Sequence, residues 1–167
     1  RLLSSAASDV YKRQLRRCLD AAVGASAYGD DLPDDEAVGV AISWWPSFPG
    51  PSGAYIKIDS DGSGMIITGA QECGTGSVMT LRMLAAKELG MEPEDFQLVY
   101  QDTSAAPYDT GATGSQTMLN NGRAVVEGAR EVAAQLRDLA ADQLEAAPDD
   151  IVLASGKASV SGSPDKA

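Results

Sequence analysis

Two polar loops that contain glycine carry the residues whose types and spacing could do chemistry. The first, residues 68–77, holds Gly74, Thr75 and Gly76 between an apolar segment and a predicted helix. Glycine lets backbone amides approach a ligand closely, and a helix start offers unpaired N–H groups with a partial positive charge. This loop therefore could bind an anion.

The second loop, residues 109–117, has the same chemistry and also leads into a helix. Its small and polar residues are Gly114, Ser115, Gln116 and Thr117. If both helix starts converge, their amides could together hold a phosphate or another anionic cofactor. That mode of binding would suit a protein with few cations to spare.

A purely structural interpretation of both loops stays open. The first loop lacks the Gly-Lys-Thr of a Walker loop, and it is not a complete Gly-X-Gly-X-X-Gly fingerprint. Gly74 and Gly76 could simply shape a tight turn, and Ser115 or Thr117 could simply cap a helix.

The carboxylates and the thiol near these loops lack a visible partner. Glu72, Asp102 and Asp109 are single carboxylates, which are usually solvated residues or caps, so we assign none of them as a general base. Cys73 has no evident basic partner that would activate its thiol, so we expect it to pack. We predict no catalytic residue and no metal ligand in this chain.

The composition excludes several classes of function. The chain has 167 residues, 13 basic against 24 acidic and no histidine, for a net charge of −11. The missing histidine excludes a Ser-His-Asp triad, a Cys-His pair and any histidine-ligated metal. The negative charge argues against nucleic acid and anionic membrane surfaces as partners.

The two cysteines and the hydropathy indicate where the protein works. Cys18 and Cys73 are too few for a disulfide framework, so we expect free thiols in a reducing compartment, by default the cytoplasm. No window approaches the ~20 consecutive apolar residues of a membrane span. Residues 1–14 contain no signal peptide; they look like translated sequencing-adapter sequence, and we expect the true protein to be longer upstream.

The elements that position the loops follow from periodicity and turn residues. Helices are predicted over residues 15–25, 77–89 and 122–144, with Gly90 ending the second. Strands are predicted over residues 37–45, 54–59, 65–68, 96–100, 151–153 and 158–160. Trp44 and Trp45, at the end of the first strand, could stack on a planar ligand but more often belong to a core or an interface. The acidic run 30–36 is expected to be a solvated connector.

The order of several motifs resembles a known family. The motifs are Gly53-Ala-Tyr-Ile-Lys, Thr68-Gly-Ala-Gln-Glu-Cys-Gly-Thr-Gly, Leu84-Ala-Ala-Lys-Glu-Leu-Gly-Met-Glu-Pro-Glu-Asp, Gln101-Asp-Thr, Pro107-Tyr-Asp, Thr113-Gly-Ser-Gln-Thr and Gly122-Arg-Ala-Val. In this order, from about residue 15 to 160, they resemble the molybdopterin-binding large subunit of the xanthine dehydrogenase and aldehyde oxidase family.

The resemblance implies a fold and a set of cofactor contacts. The fold would be α+β, with short mixed sheet hairpins packed with two main helices, as part of a molybdenum-cofactor-binding domain. Gly74, Thr75 and Gly76 fall on the family's first cofactor loop, and Gly114, Ser115, Gln116 and Thr117 on its second. Many members have glutamine where this chain has Thr75, which puts a long amide contact with the cofactor in doubt.

The resemblance also implies partners. The cofactor would be molybdopterin, with a phosphate or dinucleotide tail, and whole members hydroxylate aldehydes or electron-poor ring carbons with oxygen derived from water. The catalytic glutamate belongs to a later segment that this chain does not contain. Two cysteines cannot bind two iron–sulfur clusters, so those centres, and any FAD, would lie on other segments or subunits.

These inferences divide the chain into four parts and leave a rival. Residues 1–14 are a non-native extension, 15–36 a helix and acidic linker, 37–161 a molybdopterin-binding domain fragment, and 162–167 a tail. The fragment alone should be inactive on its small-molecule substrate. The rival hypothesis is a stand-alone module that holds an anionic ligand or assembles subunits without catalysis.

Overall fold

The computed structural model describes residues 14–43, 47–99 and 102–163. The chain divides into two compact units, residues 1–45 and 46–167. Trp44, Trp45, Tyr100 and Gln101, on which some of the predictions fall, lie outside the described residues.

The first unit contains one helix and an irregular segment. Residues 14–24 form helix α1, as the spacing of apolar residues predicts. Its Leu15, Cys18, Leu19 and Ala22 line a cavity of about 240 Å³ with residues 40–43. The predicted buried strand is wrong over residues 37–43, which have no regular secondary structure and are mostly exposed. An apolar run forms a strand only when another strand pairs with it, and no described strand pairs with this one.

The second unit is built on a three-stranded sheet with the order β1-β2-β3. Strands β1 (Ala54–Ile58) and β2 (Gly64–Thr68) form the predicted antiparallel hairpin, with Ile56 opposite Ile66. Helix α2 (Ser77–Leu89) then returns the chain to β3 (Phe96–Val99), which pairs parallel to β2. Since β2 and β3 are parallel neighbours, the loops that follow them leave from the same edge of the sheet.

Helix α3 (Thr117–Leu144) is the longest element and begins five residues before its predicted start at Gly122. Its predicted stripe is confirmed at Val125 and Ala129, which are fully buried, whereas Leu139 is 61% exposed. The periodic pattern missed the first turn because residues 117–121 are mainly polar. Two of them, Asn120 and Asn121, are nevertheless buried.

The hydrophobic core lies between one face of the sheet and the two long helices. Register places Ile56, Ile66 and Leu98 side by side on that face. The buried apolar side chains of the second unit's core cluster include Ile66, Leu81, Ala85, Leu89, Phe96, Leu98, Val125 and Ala129. This burial of apolar surface holds α2 and α3 against the strands that precede them.

A second hairpin completes the unit, as predicted. Strands β4 (Ile151–Ala154) and β5 (Lys157–Val160) are antiparallel and dock on the end of α2. Gly90, which ends α2 with a φ of 65°, accepts a hydrogen bond at its carbonyl from the Gly156 amide at 2.9 Å. A Cβ at Gly90 would collide with the backbone carbonyl of Leu153.

Gly90→Ala is therefore expected to destabilise the chain by more than about 2 kcal/mol, because left-handed strain and a backbone clash act together. Gly62→Ala is the matched control, since Gly62 has a φ of 86° with open space around its Cβ position. It should lose only about 1 kcal/mol. Urea unfolding of both variants measures the difference, and equal losses would contradict the close docking of the hairpin.

Candidate functional site

The first loop connects β2 to α2 and is organised around one carboxylate. Oε1 of Glu72 accepts hydrogen bonds from the amides of Gly74 at 2.7 Å and Gly76 at 3.1 Å. Its Oε2 accepts from the Ser77 hydroxyl at 2.9 Å and the Val78 amide at 3.1 Å. Four donors at the start of α2 thus converge on a single side chain.

These donors hold the pKa of Glu72 far below its ordinary value. The pKa falls from 4.5 to about 2, chiefly through the hydrogen bond from the Val78 amide and then through that from the Ser77 hydroxyl, with smaller contributions from Gly76 and Gly74. Hydrogen bonds donated to a carboxylate favour its charged form. Glu72 is therefore ionised at neutral pH and supplies an internal anion to the helix start.

The backbone of the first loop shows how these residues form the turn. Gly74 and Gly76 have φ values of 89° and 74°, so they do shape the turn. Glu72 is a cap. Cys73 is exposed rather than packed, which corrects the prediction, since the loop turns its side chain away from the core. A capping-box search looks three residues after the cap, so it misses a carboxylate that lies four residues before the cap at Gly76.

The second loop connects β3 to α3 and also has a carboxylate at its centre. Asp109 accepts hydrogen bonds from the Ser52 hydroxyl at 2.7 Å, the Asn121 side-chain amide at 2.8 Å and the Gly111 backbone amide at 3.1 Å. It is half-buried. Asp109 therefore joins the loop to the start of α3 and to the segment before β1.

Further contacts fix the shape of this second loop. The side-chain amide of Gln116, which is buried, donates to the Gly111 carbonyl at 3.0 Å. Gly114 is buried with a φ of 73°, and the exposed Ser115 is also left-handed, with a φ of 58°. The Gly53 amide donates to the Tyr108 carbonyl at 2.9 Å.

A buried chain of hydrogen bonds connects the two loops. Thr68, the last residue of β2, donates from its hydroxyl to the side-chain carbonyl of Asn121 at 2.9 Å and accepts from the Ala70 amide at 3.2 Å. Asn121 in turn donates to Asp109. Thr68 and Asn121 are both fully buried. A bridge of hydrogen bonds thus runs from one loop to the other through Thr68, Asn121 and Asp109, and we call it the Thr68–Asn121–Asp109 bridge.

The loops also touch directly. A Cβ on Gly69 would lie 2.6 Å from the Cβ of Asp109 and 2.9 Å from the Pro107 carbonyl oxygen. Only glycine permits this approach. Sequence reasoning missed the bridge, because its members are single polar residues far apart in the chain, although polar residues at the buried start of a helix would have been a signal.

The start of α3 differs from that of α2. Its N-cap is Gln116, whose side chain makes no capping hydrogen bond, so the N-cap is neither Ser115 nor Thr117, the two residues that the structural interpretation offered. The first N–H groups of an α-helix have no partner within the helix. Those of Thr117, Met118 and Leu119 have no acceptor in the described parts of the chain. At the start of α2, by contrast, the Val78 amide donates to Glu72.

Three further observations concern cavities, metal ligands and membrane-spanning helices. Among the described residues, the best-formed cavities have volumes of about 220–360 Å³, and these cavities are not lined by residues 69–76 or 111–117. Within residues 14–43, 47–99 and 102–163, no group of three or more His, Cys, Asp or Glu could hold a metal ion. None of the helices in those same ranges is long and apolar enough to cross a membrane.

Comparison with known proteins identifies the kind of domain. Residues 23–167 match the family model for a molybdopterin cofactor-binding domain. No curated protein sequence matches the chain. The structure is similar to quinoline 2-oxidoreductase from Pseudomonas putida 86, with a TM-score of 0.63 and 28% identity over 69% of this chain and 14% of that one.

Two structures of carbon monoxide dehydrogenase are similar to the same degree. The Cu,Mo-CO dehydrogenase in its carbon monoxide reduced state gives a TM-score of 0.63 and 30% identity over 70% of this chain. Reconstituted CO dehydrogenase from Oligotropha carboxidovorans gives the same three values. The match covers 15% of the former chain and 14% of the latter. The chain therefore spans only a small part of the length of these relatives.

Asn121→Ala is expected to cost about 2–4 kcal/mol of unfolding free energy, because it leaves the buried Thr68 hydroxyl without an acceptor and removes one of the donors to the Asp109 carboxylate. Gln135→Ala, at an exposed position of the same helix, should change stability by less than about 0.5 kcal/mol. Denaturant unfolding measures both. A loss at Asn121 no larger than that at Gln135 would show that the bridge contributes nothing to stability.

Lowering the pH should release the first loop only in strong acid. The folded pKa of Glu72 lies below the unfolded value, so its stabilising contribution is complete above 4.5 and is lost as the pH falls through about 2. The amide chemical shifts of Gly74 and Gly76, followed by NMR, should titrate with a midpoint near 2. The transition should be missing in Glu72→Gln. A midpoint at 4.5 in the wild type would mean that the four hydrogen bonds do not persist in solution.

Proposed function

Because the chain belongs to the molybdopterin cofactor-binding domain family, we propose that it is a segment of the large subunit of a molybdenum hydroxylase of the xanthine dehydrogenase and aldehyde oxidase type. Its two loops contact the pterin and its phosphate or dinucleotide tail. The observation that carries this proposal is the contact between the loops at one edge of the sheet, beside open amides at the start of α3.

The donors of the second loop suit an anionic tail. Three consecutive N–H groups, at Thr117, Met118 and Leu119, have no acceptor among the described residues and could point at one ligand, and the helix dipole adds a partial positive charge. Gly114, Ser115 and Gln116 shape the turn that precedes them. Because neutral amides do the binding, an acidic protein can hold a phosphate there without using any of its 13 basic side chains.

The first loop fits the cofactor in a different way. The amides of Gly74 and Gly76 already bind Glu72, so the group left to contact a ligand is the exposed Thr75. Around the Cβ positions of Gly74 and Gly76 there is nothing within 4 Å, which leaves room for a ligand to lie against the backbone. Thr75 would offer a short hydroxyl where many family members have the longer glutamine amide.

The protein's share of the chemistry is binding and orientation. When bound, the cofactor supplies the redox centre for hydroxylating an aldehyde or an N-heterocycle with oxygen derived from water. The loops would bind the cofactor and fix its orientation. The catalytic acid, the iron–sulfur centres and any flavin would lie on other segments or subunits, and this segment alone would not turn over substrate. We place the whole enzyme in the cytoplasm.

The sharpest test adds a negative charge at the start of α3 without disturbing its fold. In Ser115→Asp, the new aspartate tolerates the left-handed conformation of this position and interacts favourably with the helix dipole. The free energy of unfolding should therefore stay close to that of the wild type. Its carboxylate would compete with the cofactor's phosphate for the same amides. Molybdenum and pterin content of the complete purified enzyme should therefore fall about tenfold.

Ser115→Asn is the matched control, since it has the same shape and no charge. It should retain cofactor at close to the wild-type level. Equal cofactor content in both variants would reject the start of α3 as the phosphate site. Absence of pterin from the purified wild-type enzyme would favour the stand-alone anion-binding or assembly module instead.

A further inference from the structure

We propose that a cavity beside the first turns of α3 binds a neutral amide group, whose carbonyl oxygen accepts a hydrogen bond from the side chain of Asn120. The cavity has a volume of about 220 Å³ and lies between residues 49–52 and a face of α3 that includes Asn120, Arg123 and Glu127. It shares no residue with the two glycine-containing loops, so binding there does not depend on the proposed function.

Asn120 carries a buried hydrogen-bond donor that lacks a partner. The residue is 7% exposed, and its Oδ1 accepts from the Gly50 amide at 3.1 Å, which leaves the NH2 group as the other end of the side chain. The Nδ2 atom is buried and has no acceptor among the described residues. The neighbouring Asn121, by contrast, uses both ends, since it accepts from Thr68 and donates to Asp109. Because an unpaired buried donor costs free energy, Asn120 favours a ligand that brings an acceptor.

The wall formed by residues 49–52 is held in place by contacts with the rest of the unit. The Thr110 hydroxyl donates to the Pro51 carbonyl at 2.5 Å, and a Cβ on Gly50 would lie 2.7 Å from the same hydroxyl oxygen. The two prolines of this wall have no backbone N–H, and the amide of Gly50 already donates to Asn120. None of these three residues therefore offers a donor that competes with the Asn120 NH2 group for the ligand.

The charges around the cavity favour a neutral amide over a carboxylate. Nε of Arg123 donates to Oε1 of Glu127 at 2.8 Å, and these are the two charged residues of the lining, so its net charge is zero. A carboxylate bound at Asn120 would face Glu127 in a chain whose net charge is −11. Oε2 of Glu127 has no donor among the described residues and can accept from an N–H of the ligand. An amide supplies both groups, a C=O for Asn120 and an N–H for Glu127.

The rim of the cavity can open to admit such a ligand. Because the Nδ2 atom of Asn120 is buried, an acceptor reaches it only when part of the rim shifts. The side chains of Arg123 and Glu127 are 79% and 59% exposed, and they are joined by an ion pair within one helix. An exposed ion pair of this kind contributes little free energy, so the two side chains can rearrange at low cost.

Titration of the 167-residue chain with acetamide at pH 7, followed by NMR, tests the site. The side-chain NH2 resonances of Asn120 and the backbone amide resonance of Gly50 should move with a saturable response. Sodium acetate, the carboxylate of matching size, should produce no saturable response at these groups over the same concentrations. The proposal is overturned if acetamide gives no saturable response in the wild type, or if acetate gives an equal one.

Asn120→Asp tests the donor itself. It keeps the size of the side chain and an oxygen for the Gly50 amide, but it removes the NH2 group, so acetamide should bind about tenfold more weakly than in the wild type. Gln135→Glu is the matched control, because it makes the same replacement of an amide by a carboxylate at an exposed position of α3. It should bind acetamide as the wild type does. Equal affinities of the two variants would show that Asn120 does not donate to the ligand.

Glu127→Gln tests the preference for a neutral ligand at an exposed residue, where a substitution should not impair folding. It leaves Arg123 without its ion-pair partner, so the lining becomes positively charged and acetate should now give a saturable response at Asn120. Asp138→Asn changes the net charge equally at a distant exposed position of α3 and should not gain this response. The proposal fails if acetate stays without effect in Glu127→Gln or acts equally on both variants. Because no pterin is present, these titrations can fail while the cofactor content of the Ser115 variants still supports the proposed function, and the reverse.

Discussion

The arrangement of the site depends on the Thr68–Asn121–Asp109 bridge. Hydrophobic packing places α2 and α3 on one face of the sheet. Because this packing is non-directional, it does not fix the position of each helix start relative to the ends of the strands. The bridge does so, because buried polar groups must be paired and a hydrogen bond tolerates little displacement. It joins the end of β2 to the start of α3, and through Asp109 it fixes the loop between β3 and α3.

Elements with a strong local signal could be predicted from the sequence. The β1–β2 hairpin, helix α2 with its stop at Gly90 and the closing hairpin all follow from periodicity and turn residues. The strand at 37–43 failed because an apolar run says nothing about a pairing partner. The start of α3 was placed too late because polar Asn120 and Asn121 interrupt the apolar stripe, yet the fold buries them to make hydrogen bonds.

The two loops of the candidate site could be predicted from the sequence, but the hydrogen bonds within and between them could not. Glycines at 74, 76 and 114 marked the loops, and each has the left-handed backbone that glycine permits. The partners of Glu72 and Asp109 depend on where the backbone turns to within a fraction of an ångström. Motif spacing does not carry that information, which is why the two loops looked equivalent in sequence and differ in structure.

A net charge of −11 disfavours a phosphate-bearing ligand at long range. At the binding site itself, the electric field of the nearest groups determines whether an anion is bound. Backbone amides at a helix start attract an anion over a few ångströms, while charges spread over the surface are screened beyond about 10 Å at ordinary ionic strength. Glu72 demonstrates the principle within the chain itself. Hydrogen bonds from backbone amides and one hydroxyl stabilise a full negative charge there, with no basic residue among the causes of its lowered pKa. Among the described residues the amides of Thr117, Met118 and Leu119 have no acceptor, and under the proposed function they would stabilise an anionic group of the ligand in the same way.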